Sequence, residues 1–103
     1  MKILAKMIEK ANDTLDEIEW YGEKALLLRD EHKSIADTYN KVADMHITIY
    51  DMLHKQMVDL VEQKKREEPQ VPAEMLAIWN YEHERLIKEF KDAKILFEEY
   101  KRY

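Results

Sequence analysis

The feature that most constrains this chain is a stretch of about 33 residues, from Ser34 to about Arg66, without glycine or proline. Ser34 and Asp37 suit the start of a helix, and the basic residues from Lys64 to Arg66 suit its end. Apolar residues recur between these ends at the three-and-four spacing of an amphipathic helix: Ile35, Tyr39, Val42, Ala43, Ile49, Tyr50, Leu53, Met57, Leu60 and Val61. The stretch therefore predicts one long helix, against which we expect the rest of the chain to pack.

Apolar residues recur with the same spacing in two further segments, one before and one after this stretch, so the chain carries three apolar stripes. Both prolines, Pro69 and Pro72, fall in the segment between the second and third stripes. The prediction is an all-α, single-domain protein over residues 1–103, an antiparallel bundle of three long helices at about 2–29, 35–66 and 73–101. A bundle this thin has much surface for its core, so we expect a homo-oligomer to complete it.

The first helix leaves one alternative open. Asn12 and Asp13 are poor helix formers, and the segment from Thr14 to Glu17 resembles a capping box, which would break the helix there. The apolar stripe keeps its phase across this point, which favours one continuous helix. The small residues Gly22 and Ala25 lie on the stripe, where another helix could approach most closely.

Composition and charge narrow the function classes. The formal net charge is −5, which argues against nucleic acid as a partner. There is no cysteine, no phosphate-binding glycine loop and no nucleophile motif, so we do not expect an enzyme. No apolar run is long enough to span a membrane, and charge interrupts the amino terminus too early for a signal peptide. We therefore expect a cytoplasmic protein that does not act on membranes.

Histidines and carboxylates offer the only candidate chemistry. His46 falls near the centre of the second stripe, which predicts a buried polar residue bonded to a neighbouring helix. An antiparallel layout brings four other residues to one level, together with Glu9: Asp51, His54, Glu82 and His83. Carboxylate and imidazole groups that project into a bundle can bind iron or another divalent metal. The main expectation is that the protein has no cofactor, with this metal site as the alternative.

Four apolar residues fall outside the main stripes. Trp20 and Leu27 lie one heptad apart on the outer face of the first helix, and Met45 and Met52 repeat that spacing on the second. Exposed apolar residues in one area are typical of contact surfaces, and methionine adapts readily to a partner. We predict an interaction surface at these positions, for self-association or for a protein partner.

Four segments also carry a resemblance to a known group of proteins: WYGEKA at 20–25, IADTY at 35–39, MHITIYDMLH at 45–54 and WNYEHE at 79–84. Together they resemble small helical proteins encoded by phages and prophages, some of which are similar to ferritin-like bundles. Ferritin-like di-iron proteins would have four helices and paired Glu-x-x-His motifs. This chain has three helices, and Asp51 with His54 is its nearest counterpart to that motif.

The resemblance thus implies a phage-type accessory or structural protein, in the host cytoplasm, rather than an enzyme. From the sequence we predict a non-enzymatic helical interaction protein. The alternative is a ferritin-like metal-binding protein.

Overall fold

The computed structural model describes residues 2–67 and 70–102, and these form three helices without a strand. Helix α1 is Lys2–Leu28, α2 is Lys33–Glu67 and α3 is Ala73–Lys101. The molecule is a rod of 57 × 18 × 17 Å. The all-α, three-helix prediction is confirmed. Two residues of the predicted second connection, Glu68 and Pro69, lie outside the described residues.

The helix ends differ in detail from the expected ones. Helix α1 runs unbroken past Asn12, because the Thr14 hydroxyl donates to the carbonyl of Lys10 at 2.8 Å instead of capping a new helix. Helix α2 begins one residue before Ser34, and the Ala36 amide donates to the His32 carbonyl. The predicted cap at Ser34 is therefore wrong, because this residue already lies in the first turn.

The helix that packs against both of the others is α1, not α2 as the sequence suggested. Helix α1 packs extensively against α2 and also against α3, whereas α2 and α3 approach each other least. Small residues explain this arrangement: Ala11, Gly22 and Ala25 are buried on α1, so neighbouring backbones can come close. A Cβ at Gly22 would lie 3.0 Å from the Cβ of Leu96, which confirms the predicted close approach at this glycine.

The buried face of α2 is rotated relative to the predicted stripe. Ile35 and Ile49 were placed on the core stripe, but they are 48% and 44% exposed. Ala36 and Ile47 are buried in their place. The helix must face both α1 and α3, so its buried face is set by two neighbours and not by the widest apolar arc of the sequence. The prediction was wrong at these positions for that reason.

The C-terminal end of α3 contacts the connection between α1 and α2 and the first turns of α2. The hydroxyl of Tyr100 donates to the carboxylate of Asp37, and the Arg29 guanidinium lies 3.4 Å from the carbonyl oxygen of Glu99. Tyr100 is buried there with Ala25 and Ala36, in a small cluster separate from the main core. These contacts hold the third helix antiparallel to the second, as predicted. Within the described part of the chain, no helix has the length and apolarity of a membrane span.

Candidate functional site

A column of rings fills the space between α2 and α3. Consecutive ring centroids are separated by 4.6 Å, 4.9 Å, 6.0 Å and 4.1 Å, and each pair of planes lies within 24° of parallel. In order, the rings are Trp79, His83, His54, Tyr50 and Phe90. Because these side chains are large and rigid, they keep the two backbones apart. The rings, and not backbone proximity, form the α2–α3 interface.

The closest polar contact in this column joins two imidazoles. The Nε2 atoms of His54 and His83 are 2.8 Å apart. Their ring centroids are 4.9 Å apart, and the planes differ by 24°. The centroid distance exceeds the nitrogen–nitrogen distance by about two ring radii. Each nitrogen therefore lies close to the line that joins the centroids, and the two point nearly straight at each other. One nitrogen must carry a hydrogen and the other must accept it.

Burial favours the neutral form of His83. The pKa of His83 is lowered from its ordinary value of 6.5, first because the ring is desolvated and second because His54 stands beside it. The nearby Glu84 carboxylate acts in the opposite direction. A doubly charged pair would place two donors head to head, so the observed contact requires at least one neutral ring.

The structure brings together only part of the predicted metal layer. His54 and His83 meet as the antiparallel layout predicted. Glu82 instead accepts from Arg85 at 2.6 Å, and Arg85 also contacts Glu89 at 2.8 Å and Asn12 at 2.7 Å. This network ties α3 to α1 and uses the Glu82 carboxylate there.

The other members of that layer lie at the surface. Glu9 is exposed on α1, and Asp51 is exposed on α2 one turn before His54. Among residues 2–67 and 70–102, no three His, Asp or Glu side chains stand together as a ready metal site.

A groove runs beside the ring column. Its volume is about 290 Å³, and its walls are Tyr50, Asp51, His54, Ile87, Phe90, Lys91 and Lys94. Asp51 therefore faces the same space as His54. The Tyr50 hydroxyl is buried without a hydrogen-bond partner among the described residues, and burial is the main reason that the pKa of Tyr50 is raised to about 12.

His46 lies apart from this column. It is half-buried, its Nδ1 lies 2.9 Å from the carbonyl oxygen of Val42, and its ring stacks on Tyr21 at 5.8 Å. The Nδ1–H group donates to that carbonyl. The expected bond to a neighbouring helix is replaced by a bond within α2, and α1 contributes only the tyrosine ring.

The predicted interaction residues are all exposed. Trp20 is 46% exposed, Leu27 73%, Met45 64% and Met52 66%. The Trp20 ring packs against Tyr21 and against Tyr39 of α2, with centroids 5.0 Å and 5.7 Å away. It therefore lies at the boundary between α1 and α2.

The structure adds two isoleucines to this surface. Ile35 and Ile49 are exposed, and with Val42 they repeat every seven residues along α2. Met45 follows Val42 by three residues, and Met52 follows Ile49 by three residues. We call these five residues the outer seam: Ile35, Val42, Met45, Ile49 and Met52. It lies roughly 130° around the helix from the buried face.

Comparison with family models, with curated protein sequences and with solved structures finds no match to this chain. The sequence predicted the level of the histidine pair and the two exposed methionines, but not the ring column or the exposed β-branched residues of the outer seam. The heptad spacing of Ile35, Val42 and Ile49 was a usable signal for the seam, but it overlapped the stripe assigned to the core.

Proposed function

We propose that this protein is a non-enzymatic helical protein that works by association through the outer seam of α2. The single observation that carries the proposal is the exposure of Ile35, Met45, Ile49 and Met52 on one face of a helix whose opposite face is already buried. Water contact with four large apolar side chains in one line is unfavourable, and a partner helix would remove it.

The spacing of the seam favours a second copy of this chain as the partner. Knobs-into-holes packing requires the same 3.5-residue period in both helices. Ile35, Val42 and Ile49 occupy one heptad position, and Met45 and Met52 occupy the other. β-Branched residues at the first of these positions favour two-stranded pairing. From Ile35 to Met52 the seam covers roughly 26 Å of helix, which is nearly five turns.

Trp20 extends this surface onto α1. Its ring packs on Tyr39, which flanks the seam, and Lys24 lies over the ring at 5.7 Å. Tryptophan is enriched among the residues that contribute most to binding energy in protein interfaces. Leu27 is exposed further along α1, towards the connection with α2, and we include it as an outer contact of the same surface.

Sedimentation velocity at tens of micromolar tests the proposal. The double substitution Met45→Glu with Met52→Glu keeps good helix formers but puts charge at the centre of the seam. We expect a dimer for the natural chain and a monomer of unchanged helical content for the variant. The matched control is Ile95→Glu, an equally exposed isoleucine on α3, which should remain dimeric.

Two results would reject the seam as the contact. One is a natural chain that stays monomeric at these concentrations. The other is equal dissociation by Ile95→Glu, which would place the contact elsewhere. Trp20→Ser should weaken the dimer less than the methionine pair, because Trp20 lies at the margin. The phage-type origin and the cytoplasmic location stay predictions of the sequence.

A further inference from the structure

We propose that His54 and His83 form a two-imidazole site for a borderline divalent ion, zinc or copper, which fastens α2 to α3. The two rings belong to different helices, and their Nε2 atoms lie 2.8 Å apart. Neutral imidazole nitrogen is a preferred ligand of both ions. This site lies between α2 and α3 and does not depend on the outer seam.

Binding requires a change of tautomer and no net loss of protons. In the present contact one Nε2 carries the hydrogen and the other accepts it. When an ion enters, the donor ring carries its hydrogen on Nδ1 instead, and both Nε2 lone pairs face the metal. Two neutral ligands result from two neutral rings.

The distance that must open is small. Zinc binds imidazole nitrogen at about 2.0–2.1 Å, so a tetrahedral site separates two nitrogens by roughly 3.4 Å. The present separation is 2.8 Å. Rings and not close backbones meet here, and α2 and α3 approach each other least of the three helix pairs. Because the two nitrogens point nearly straight at each other, the rings must also tilt, so that both lone pairs meet an ion beside the line that joins them. A widening of roughly 0.6 Å together with this tilt is compatible with the α1 contacts that hold both helices.

A neighbouring ring packs on each of the two ligands. Trp79 stacks on His83 at 4.6 Å and 11°, and Tyr50 stacks on His54 at 6.0 Å and 12°. Asp51 lies one turn before His54 and lines the same groove, so its carboxylate is a candidate for a third ligand after a change of rotamer. Water completes the coordination. Lys91 and Lys94 also line the groove, and their charge makes binding weaker than in a closed four-ligand site.

Thermal unfolding with and without zinc chloride tests the site, after treatment of the protein with a chelator. We expect zinc to raise the Tm of the natural chain by several degrees, since it binds the folded state only. His54→Ala and His83→Ala should abolish the rise. His32→Ala is the matched control, because His32 is exposed at the start of α2 and should leave the rise unchanged.

Copper adds a second, local measurement. In a Trp20→Phe background, Trp79 is the only tryptophan, and its ring lies 4.6 Å from that of His83. Bound Cu²⁺ should quench this fluorescence with a stoichiometry of one ion per chain. His54→Ala should remove the saturable quenching while circular dichroism shows an intact fold. Quenching or stabilisation that survives in His54→Ala, or that disappears in His32→Ala, would overturn the proposal.

Discussion

Gly22 tests whether the close approach of α1 and α3 is a real constraint. It is the chain's single glycine, and it sits in the interior of α1 where alanine should be better by roughly 1 kcal/mol. Replacement by alanine would place a Cβ 3.0 Å from the Cβ of Leu96. Carbon atoms pack best at about 3.5–4.0 Å, so the helices would have to separate by about 0.5–1 Å.

The magnitude follows from these two opposing effects. Overpacking in a close-packed interior costs about 1–3 kcal/mol, and the gain in helix propensity offsets about 1 kcal/mol of it. We expect Gly22→Ala to lower the free energy of unfolding by about 1 kcal/mol. In a chain of this size that corresponds to a fall in Tm of about 4–8 °C. Urea denaturation followed by circular dichroism measures it directly.

A second background separates the two possible obstacles at Leu96. Leu96→Ala removes the flexible end of the side chain, whose nearest atom would lie 3.5 Å from the new Cβ, but it keeps the Cβ at 3.0 Å. We therefore expect Gly22→Ala to remain destabilising in the Leu96→Ala background. Stabilisation of about 1 kcal/mol in either background would show that propensity alone acts here, and the close-approach reasoning would then be refuted.

Three further predictions concern the core, the ring column and pH. Leu86→Ala should lower the free energy of unfolding by about 2–5 kcal/mol, because Leu86 is fully buried. Leu27→Ala, at a position 73% exposed, should change it by less than about 0.5 kcal/mol. Similar urea midpoints for the two variants would contradict this. Tyr50→Phe should raise the free energy of unfolding by about 1 kcal/mol, since it removes a buried hydroxyl without a partner among the described residues, and a loss of stability would mean that the hydroxyl is bonded. Because the pKa of folded His83 is lowered from 6.5, its stabilising contribution is full above that pH and is lost as the pH falls from 6.5 towards the folded value. Urea midpoints at pH 7.5 and pH 5.5 should differ less in His83→Asn than in the natural chain, and equal differences would exclude His83 as a source of the pH dependence.

The three helices follow from local pattern alone. Glycine and proline are nearly absent, and the three-and-four spacing persists through the poor helix formers Asn12 and Asp13. Helical periodicity is a property of neighbours in sequence, so it survives without tertiary information. The short first connection likewise made α1 and α2 antiparallel, and a third antiparallel rod then placed His54 level with His83.

The sequence alone could not decide which face of α2 is buried. Ile47 and Ile49 lie on two different apolar arcs of this helix, and periodicity favoured the wider arc, which contains Ile49. Tertiary packing buries Ile47 and leaves Ile49 exposed, because α2 must fit α1 on one flank and the ring column on the other. The outer seam exists only as a consequence of that choice.

What the sequence by itself determined is the number, the length and the continuity of the helices, since these depend on each residue and its neighbours within a turn or two. What only the tertiary structure decided is which helix packs against both of the others and which side chains meet between them. Small residues on α1 make it the common partner, and large rings between α2 and α3 keep those helices apart and bring two imidazole nitrogens within 2.8 Å. Such contacts depend on the sizes and directions of side chains far apart in the chain, and no local pattern encodes them.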